Sequence, residues 1–183
     1  MKQYLIVVDM QKDFVDGALG SKEAGMIVDH VVEKIKGWQG PIIVTRDTHE
    51  ENYLETREGK YLPVKHCIIH TDGWQIHEKV QEALDCKKDV TYVNKPTFGC
   101  VQLADIIGNK QGYSKDEYIS AQDMEIELVG LCTDICVVSN AMLLKAEFPE
   151  VNISVDSQCC AGVSPESHDA ALTTMKFCQI NIL

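Results

Sequence analysis

The segment from Tyr4 to Val8 is an almost unbroken apolar run that stops at Asp9. A strand that is apolar on both faces is typical of the buried interior of a parallel sheet. Further short apolar runs alternate along the chain with segments of helical periodicity. We predict strands over 4–8, 42–44, 90–93, 125–131, 151–155 and 180–182, and helices over 25–36, 76–84, 99–108, 134–147 and 165–177. This alternation predicts a three-layer α/β/α fold with a mainly parallel, doubly wound sheet.

Length and composition bound the class of protein. The chain has 183 residues, 45% of them apolar and 25% charged, so we expect one domain over residues 1–183. It enters a strand at residue 4 without a basic segment or an apolar signal core, and no apolar run approaches the ~18 residues of a membrane span. We therefore expect a cytoplasmic protein without a membrane partner. The formal net charge of −11 argues against nucleic acid as a partner.

Cys136 is a candidate nucleophile among eight cysteines, which in the cytoplasm are expected to be free thiols. The predicted strand 125–131 runs through Gly130 into a polar turn and then reaches Cys136 on the first turn of a helix. Unpaired N–H groups and the helix dipole at such a position favour a thiolate, which predicts a lowered pKa. Simple core packing is the alternative, and we assign that role to Cys159 and Cys160.

Two charged residues follow other predicted strands. Asp9 ends the first strand, and Lys95 lies where strand 90–93 gives way to a loop. Ligands bind at the carboxyl ends of the strands in open parallel sheets. Asp9, Lys95 and Cys136 each occupy such an end, and a base, a cation and a thiol together can form a nucleophilic site. Taken singly, each charge could equally be a strand cap or a solvated loop residue.

The long polar stretch 47–73 contains a possible metal site. Asp47 and His49 are two residues apart on an extended segment, so their side chains point the same way, and His66 could complete the site. Glu58 or Glu55 could add an oxygen ligand. Histidines in a polar loop are also common as plain surface residues, and we interpret the remaining candidates, His70 and His77, as structural. The other polar segment, 109–124, is predicted to be a surface excursion.

Five motifs in order resemble the isochorismatase-like cysteine hydrolases, especially their nicotinamidase branch. They are Val-Val-Asp-Met-Gln-Lys-Asp-Phe at 7–14, Thr-Arg-Asp-Thr-His at 45–49, Leu-Pro-Val-Lys-His-Cys at 62–67, Lys95 with Phe98, and Gly-Leu-Cys-Thr-Asp-Ile-Cys-Val at 130–137. The resemblance implies a catalytic triad of Asp9, Lys95 and Cys136. It also implies an oxyanion hole from the backbone N–H groups of Cys132 and Cys136, with a cis peptide between Leu131 and Cys132.

The same resemblance implies a divalent metal, either zinc, manganese or iron, held by Asp47, His49 and His66 with Glu58 as a fourth ligand. It also favours a homo-oligomer. Substrate-binding residues follow by position. Phe14 falls where the family places a ring that stacks on nicotinamide, and Phe98 follows the lysine. Departures from the pattern are Leu62, where an aromatic residue is common, and Ile135, before the nucleophile. Such aliphatic walls could suit a flat pyridine or a smaller amide.

The function implied is a cysteine amidohydrolase that cleaves a small amide through a thioester, with nicotinamide converted to nicotinate and ammonia. One alternative is an amidase for ureido or carbamoyl compounds. A second is a vinyl-ether hydrolase of the isochorismatase type, which needs an acidic group but no thiol, so that Cys136 weighs against it. A third is a catalytically silent binding domain, against which the intact set of Asp9, Lys95 and Cys136 weighs.

Overall fold

A six-stranded, fully parallel sheet forms the centre of the computed structural model, which describes residues 1–183. Its strands are β1 Lys2–Val8, β2 Ile42–Asp47, β3 Val90–Lys95, β4 Met124–Leu131, β5 Asn152–Ala161 and β6 Asn181–Ile182. Their spatial order is β3-β2-β1-β4-β5-β6, so the chain winds outward in both directions from the β1–β4 pair. The predicted doubly wound parallel fold is confirmed.

Helices cover both faces of this sheet. They are α1 Lys12–Val15, α2 Lys22–Gly37, α3 Arg57–Tyr61, α4 Glu78–Asp85, α5 Leu103–Gln111, α6 Val138–Glu147 and α7 Pro165–Phe177. Side chains alternate along β1, so Leu5 and Val7 pack towards α2 and α4, whereas Tyr4 and Ile6 pack towards α5, α6 and α7. None of these helices has the length and apolar character needed to cross a membrane.

Several predicted boundaries were wrong. Helix α5 starts at Leu103 rather than 99 and continues through Gly108. Gly108 does not end the helix; its missing side chain instead leaves room for the ring of Tyr118. The left-handed residue that ends the helix is Gly112, at φ +80°. Residues 109–124 are more than a surface excursion. Their 3₁₀ helix, Lys115–Ser120, buries Tyr118, which packs on Phe148 with ring centroids 4.8 Å apart.

Strand β5 extends to Ala161 and therefore contains Cys159 and Cys160, which the sequence analysis assigned to packing and which are buried. The predicted helix 134–147 also begins differently. A turn of π-helix spans Thr133–Val137, with Val137 N–H donating to the Cys132 carbonyl at 3.0 Å, and regular α-helix follows only from Val138.

The close approach of β1 and β4 depends on Gly130. Its φ is +118°, and a Cβ added there would collide with the carbonyl oxygen of Val8. Both strands end immediately after this contact. Because β1 and β4 are neighbours at the centre of the sheet, their carboxyl ends open side by side.

Candidate active site

Asp9, Lys95 and Cys136 meet at the carboxyl edge of the sheet. Asp9 follows β1, Lys95 is the last residue of β3, and Cys136 lies in the π-helical turn after β4. Lys95 Nζ lies 2.7 Å from Asp9 Oδ2 and donates to Cys136 Sγ at 3.4 Å. Asp9 and Lys95 are fully buried and Cys136 is 4% exposed. The structure thus brings the three predicted residues into one contact group.

Asp9 is oriented by β2. Its φ of +48° lies in the left-handed region, which Asp tolerates better than most residues, and this turns the chain away from the strand direction. Thr45 Oγ1 donates to Asp9 Oδ1 at 2.7 Å, and the Asp9 N–H donates to the Thr45 carbonyl at 3.2 Å. Thr45 is fully buried, and no sequence motif had assigned it this role.

Burial and charge set the protonation of the group. Burial raises the pKa of Asp9, against the opposing effect of Lys95. Burial alone would lower the pKa of Lys95, but the neighbouring Asp9, Cys136 and Asp47 outweigh it and raise that pKa, so the ammonium stays charged. Burial and then the Asp9 charge raise the pKa of Cys136 well above 9.0. The predicted lowering of that pKa was wrong, because it considered the local helix terminus and left out desolvation and the carboxylate.

The peptide bond between Leu131 and Cys132 is cis, as the family resemblance implied. It precedes the turn that carries Cys136, and the Cys132 carbonyl accepts hydrogen bonds from the N–H groups of Ile135 and Val137 at 3.1 and 3.0 Å. The Cys132 N–H itself donates to no backbone acceptor. A hydrogen bond to α7 also holds this turn, because Thr133 Oγ1 lies 2.8 Å from His168 Nδ1.

Four predicted ligands form one cluster beside this group. Single side-chain ligand atoms of Asp47, His49, Glu58 and His66 all lie within 4.8 Å of one another. His49 Nε2 is 2.9 Å from Asp47 Oδ2 and 3.4 Å from Glu58 Oε1, and His66 Nε2 is 3.6 Å from Asp47 Oδ2. Tetrahedral ligands at zinc-bond lengths of about 2.0–2.2 Å are separated by roughly 3.3–3.6 Å. The donor set therefore fits a divalent cation, with Glu58 rather than Glu55 as the fourth member.

The surrounding structure orients these ligands. His66 Nδ1–H donates to the Val64 carbonyl at 2.8 Å, which directs the lone pair of Nε2 towards the cluster. Gln11 clamps Asp47 on both sides, because Oε1 accepts the Asp47 N–H at 2.7 Å and Nε2 donates to the Asp47 carbonyl at 2.8 Å. Burial alone would raise the pKa of Asp47, but His49, His66 and Lys95 outweigh it and lower that pKa.

The other two histidines considered as ligands, His70 and His77, lie outside the cluster. His70 packs edge-on against Trp74 with ring centroids 5.8 Å apart, and His77 Nε2 lies 3.9 Å from Asp16. Neither takes part in the group of Asp47 and its neighbours. Their interpretation as structural residues agrees with these positions.

A cavity of about 300 Å³ is lined by residues of both the thiol site and the candidate metal cluster. Its lining includes Cys132 and Cys136 from the turn that carries the thiol, and Asp47, Glu58 and His66 from the candidate metal cluster. All four residues predicted to bind substrate are in its wall, namely Phe14, Leu62, Phe98 and Ile135. Most of the lining is apolar, and besides the two thiols its polar side chains are those of Asp47, Glu58, His66 and Ser21.

Sequence reasoning missed the rest of the lining. These residues are Leu19, Gly20, Ser21 and Ala24 around the start of α2, Leu131, and Gly162 and Val163 after β5. The last two follow a strand of the same sheet, so the rule that ligands bind at the carboxyl ends of strands could have found them. The residues before α2 carry no comparable signal, since only the tertiary structure brings them over the cavity.

Comparison with known proteins gives consistent results. The family model described as "Isochorismatase domain" matches residues 3–182. An uncharacterized isochorismatase family protein PncA of Bacillus subtilis (strain 168) is 29% identical over 182 residues, covering 94% of this chain and 93% of its own. The crystal structure of nicotinamidase/pyrazinamidase PncA from Bacillus subtilis superposes with a TM-score of 0.82 at 23% identity, over 100% of this chain and 99% of that one.

A zinc complex is also among the similar structures. The pyrazinamidase of Pyrococcus horikoshii, solved in complex with zinc, has a TM-score of 0.78 and 26% identity, over 100% of this chain and 99% of that chain. The family match spans nearly every residue that builds the sheet, the thiol turn and the candidate metal cluster. The chain belongs to the isochorismatase family.

Proposed function

We propose that the protein is a cysteine amidohydrolase that converts nicotinamide to nicotinate and ammonia through a thioester on Cys136. The observation that carries this proposal is the contact group itself. A buried thiol faces a cavity while Lys95 Nζ contacts both its sulfur, at 3.4 Å, and the carboxylate of Asp9, at 2.7 Å. Such a set can remove the thiol proton and stabilise the resulting charge.

Family membership and the likeness to nicotinamidase and pyrazinamidase structures support a hydrolase that acts on amide bonds. The small volume and mostly apolar lining of the cavity support a small, largely apolar substrate. Phe14 offers an aromatic ring, and Leu62 and Ile135 offer aliphatic side chains, in a cavity that also contains the Cys136 thiol and part of the polar cluster. A pyridine carboxamide matches this distribution, because its amide and its ring nitrogen are its only polar groups.

In the first half-reaction Asp9 accepts the Cys136 proton as the sulfur attacks the amide carbon. Lys95 remains charged and stabilises the thiolate, which is why a thiol with a raised pKa can still react once the substrate is bound. The backbone N–H groups of Cys132 and Cys136 receive the oxyanion. Loss of one such donor typically lowers kcat by about 10²–10³.

Proton transfers then reverse in direction. Protonated Asp9 gives its proton to the departing nitrogen, so ammonia leaves and a thioester remains on Cys136. In the second half-reaction Asp9 removes a proton from water, which attacks the thioester carbon and releases the carboxylic acid and the thiol. The Asp9 carboxylate therefore serves alternately as base and acid. The hydrogen bond that Thr45 Oγ1 donates to it, at 2.7 Å, fixes its orientation.

Asp47, His49, Glu58 and His66 would hold a divalent cation, and three of them, Asp47, Glu58 and His66, line the cavity. A bound ion supplies a Lewis-acidic anchor for a ring nitrogen, directly or through its water ligands. The protein residues contribute the rest of the positioning. In this proposal Phe14 stacks on the ring and Phe98 adds a second aromatic contact from the cavity wall, so that the carbonyl carbon is presented to the sulfur.

The test is ammonia release from nicotinamide by purified protein, before and after exhaustive chelation. We expect Cys136→Ala to abolish release, while Cys160→Ala, which removes another buried thiol outside the cavity, leaves it intact. We expect chelation to lower release and added zinc, manganese or iron to restore it. Equal activity of Cys136→Ala and wild type would refute the thioester mechanism.

Other outcomes select among the alternatives. If nicotinamide is inert but ureido or carbamoyl compounds are cleaved with dependence on Cys136, the mechanism stands and the substrate changes. If a vinyl ether is hydrolysed equally well by Cys136→Ala, the isochorismatase type of reaction applies. If none of these compounds reacts, the binding-domain alternative takes first place.

A further inference from the structure

Asn140 is a polar residue in an otherwise apolar environment. It lies on α6, one helical turn after Cys136, and its side chain is fully buried. The next inward residues on the same helix, Ala141 and Leu144, belong to the apolar core. Asn is a poor helix former, and burial of its amide is unfavourable unless every polar atom is paired. An apolar residue would suit this position better if packing were its only role.

The amide of Asn140 joins two separate segments. Nδ2 donates to the Cys136 carbonyl at 2.8 Å and to the Phe98 carbonyl at 3.3 Å, and Oδ1 accepts the Cys100 N–H at 2.7 Å. Two partners are acceptors and one is a donor, so the orientation of the amide is fixed. Both N–H groups and the oxygen are in use. The turn that carries the thiol is thereby bonded to the loop that follows β3.

That loop carries two parts of the proposed site. Its first residues follow Lys95, whose ammonium donates to the Thr97 carbonyl at 3.1 Å, and Phe98 forms a wall of the cavity. Lys95 Nζ must also remain near the Cys136 sulfur, at 3.4 Å. The Asn140 amide directly links these two segments. A change at Asn140 therefore alters both the distance from the Cys136 thiol to the Lys95 ammonium and the position of the Phe98 ring.

We propose that Asn140 is a positioning residue that sets the register between the nucleophile turn and the Lys95–Phe98 loop. The proposal rests on the proposed function for its kinetic consequence, but its structural consequence, the reactivity of Cys136, can be measured without any substrate. A displacement of about 1 Å in a reacting group can lower a rate by roughly a hundredfold.

The decisive variant is Asn140→Ser. A serine hydroxyl on a helix can bond the carbonyl four residues earlier, which here is that of Cys136, as Ser139 Oγ already does to the Ile135 carbonyl at 2.6 Å. It is too short to reach Phe98 and Cys100. Asn140→Ser therefore keeps the bond within the helix and removes the link to the loop.

The matched control is Leu144→Ala, one turn further along the same buried face of α6. It lowers stability through a cavity but leaves both segments of the site and their bonds intact. Thermal midpoints of both variants measure the loss of stability, and kcat and KM for nicotinamide are compared at a temperature where each is fully folded. Site-specific alkylation of Cys136 by iodoacetamide, followed by mass spectrometry, gives the substrate-independent readout.

We expect Asn140→Ser to lower kcat about ten- to hundredfold, to raise KM as Phe98 loses its anchor, and to change the pH profile of Cys136 alkylation. Leu144→Ala should keep the wild-type values of all three.

The proposal is overturned if folded Asn140→Ser matches wild type in kcat and alkylation, or if Leu144→Ala loses as much kcat. If Asn140→Ser does not fold, Asn140→Asp, which keeps the size and the acceptor for Cys100, is judged by the same measurements. If wild type leaves nicotinamide unchanged, the alkylation profiles alone decide.

Discussion

At the scale of single residues, the contact group of Asp9, Lys95 and Cys136 is one electrostatic unit. Three titratable groups with almost no exposure to water share two charges, and each sets the protonation of the others. An isolated buried ammonium would be strongly destabilising, so the Lys95 charge depends on the carboxylate of Asp9. Burial and the nearby Asp9 charge raise the pKa of Cys136, so Cys136 is a neutral thiol at rest that can lose its proton to Asp9.

The first prediction concerns the pH dependence of Cys136. Because its pKa is raised above 9.0 in the folded protein, the thiolate is scarce at neutral pH and increases as the pH rises. We expect alkylation of Cys136 by uncharged iodoacetamide to be slow at pH 7 and to accelerate beyond pH 9. Lys95→Met should shift the profile further upward, since the cation that favours the thiolate is gone. The exposed Cys86 controls for reagent activity at each pH, and a midpoint for Cys136 below 9.0 would contradict the assignment.

The second prediction separates stability from catalysis. Asp9→Asn keeps the size of the side chain but leaves the Lys95 ammonium without its 2.7 Å partner. Breaking one side of a buried ion pair typically costs about 3–5 kcal/mol of unfolding free energy. Adding Lys95→Met to Asp9→Asn should recover most of this loss in urea unfolding, because both members of the Asp9–Lys95 ion pair are then uncharged. Amidase activity should stay at least about 10²-fold below wild type in both variants, since the base is absent.

At the scale of secondary-structure elements, two glycines have opposite roles. Gly25 lies on the exposed side of the first turn of α2, where its N–H already donates to the Ser21 carbonyl, and a Cβ there would meet no atom within 4 Å. Gly112 ends α5 at φ +80°, where an L side chain is strained even though space is open. Helix propensity therefore predicts a gain at the first position and backbone strain predicts a loss at the second.

The third prediction follows from this contrast. Gly25→Ala should raise the free energy of unfolding by about 1 kcal/mol, because alanine restricts the unfolded chain and favours the helix. Gly112→Ala should lower it by about 1–2 kcal/mol, the cost of a left-handed L residue. Urea midpoints measure both changes, and amidase activity should be unaffected since neither residue lines the cavity. A stabilising Gly112→Ala would contradict the conformation of that helix end.

At the scale of the whole molecule, the sequence predicted most of the architecture for a clear physical reason. Strands apolar on both faces imply helices on both sides, and parallel strands align their carboxyl ends, so Asp9, Lys95 and Cys136 could be placed together. The features that the sequence did not predict depend on contacts between residues that are distant in the chain. The raised pKa of Cys136 comes from burial, and the roles of Gln11 and Thr45 come from side chains that cross between strands. No local periodicity reports these contacts.

The final prediction concerns the candidate metal cluster, which joins the end of β2 to α3 and to the segment around His66. A cation that binds this folded cluster but not the unfolded chain stabilises the protein by about 2.7 kcal/mol at a concentration one hundred times its Kd. For a chain of this size that is a rise in Tm of about 5–10 °C.

We expect zinc added to chelated protein to produce this rise in wild type and in His70→Ala, whose exposed imidazole lies outside the cluster. His66→Ala should lose most of it, because the cluster keeps one imidazole and two carboxylates in an otherwise unchanged pocket. An equal rise in His66→Ala would place the bound ion elsewhere on the molecule.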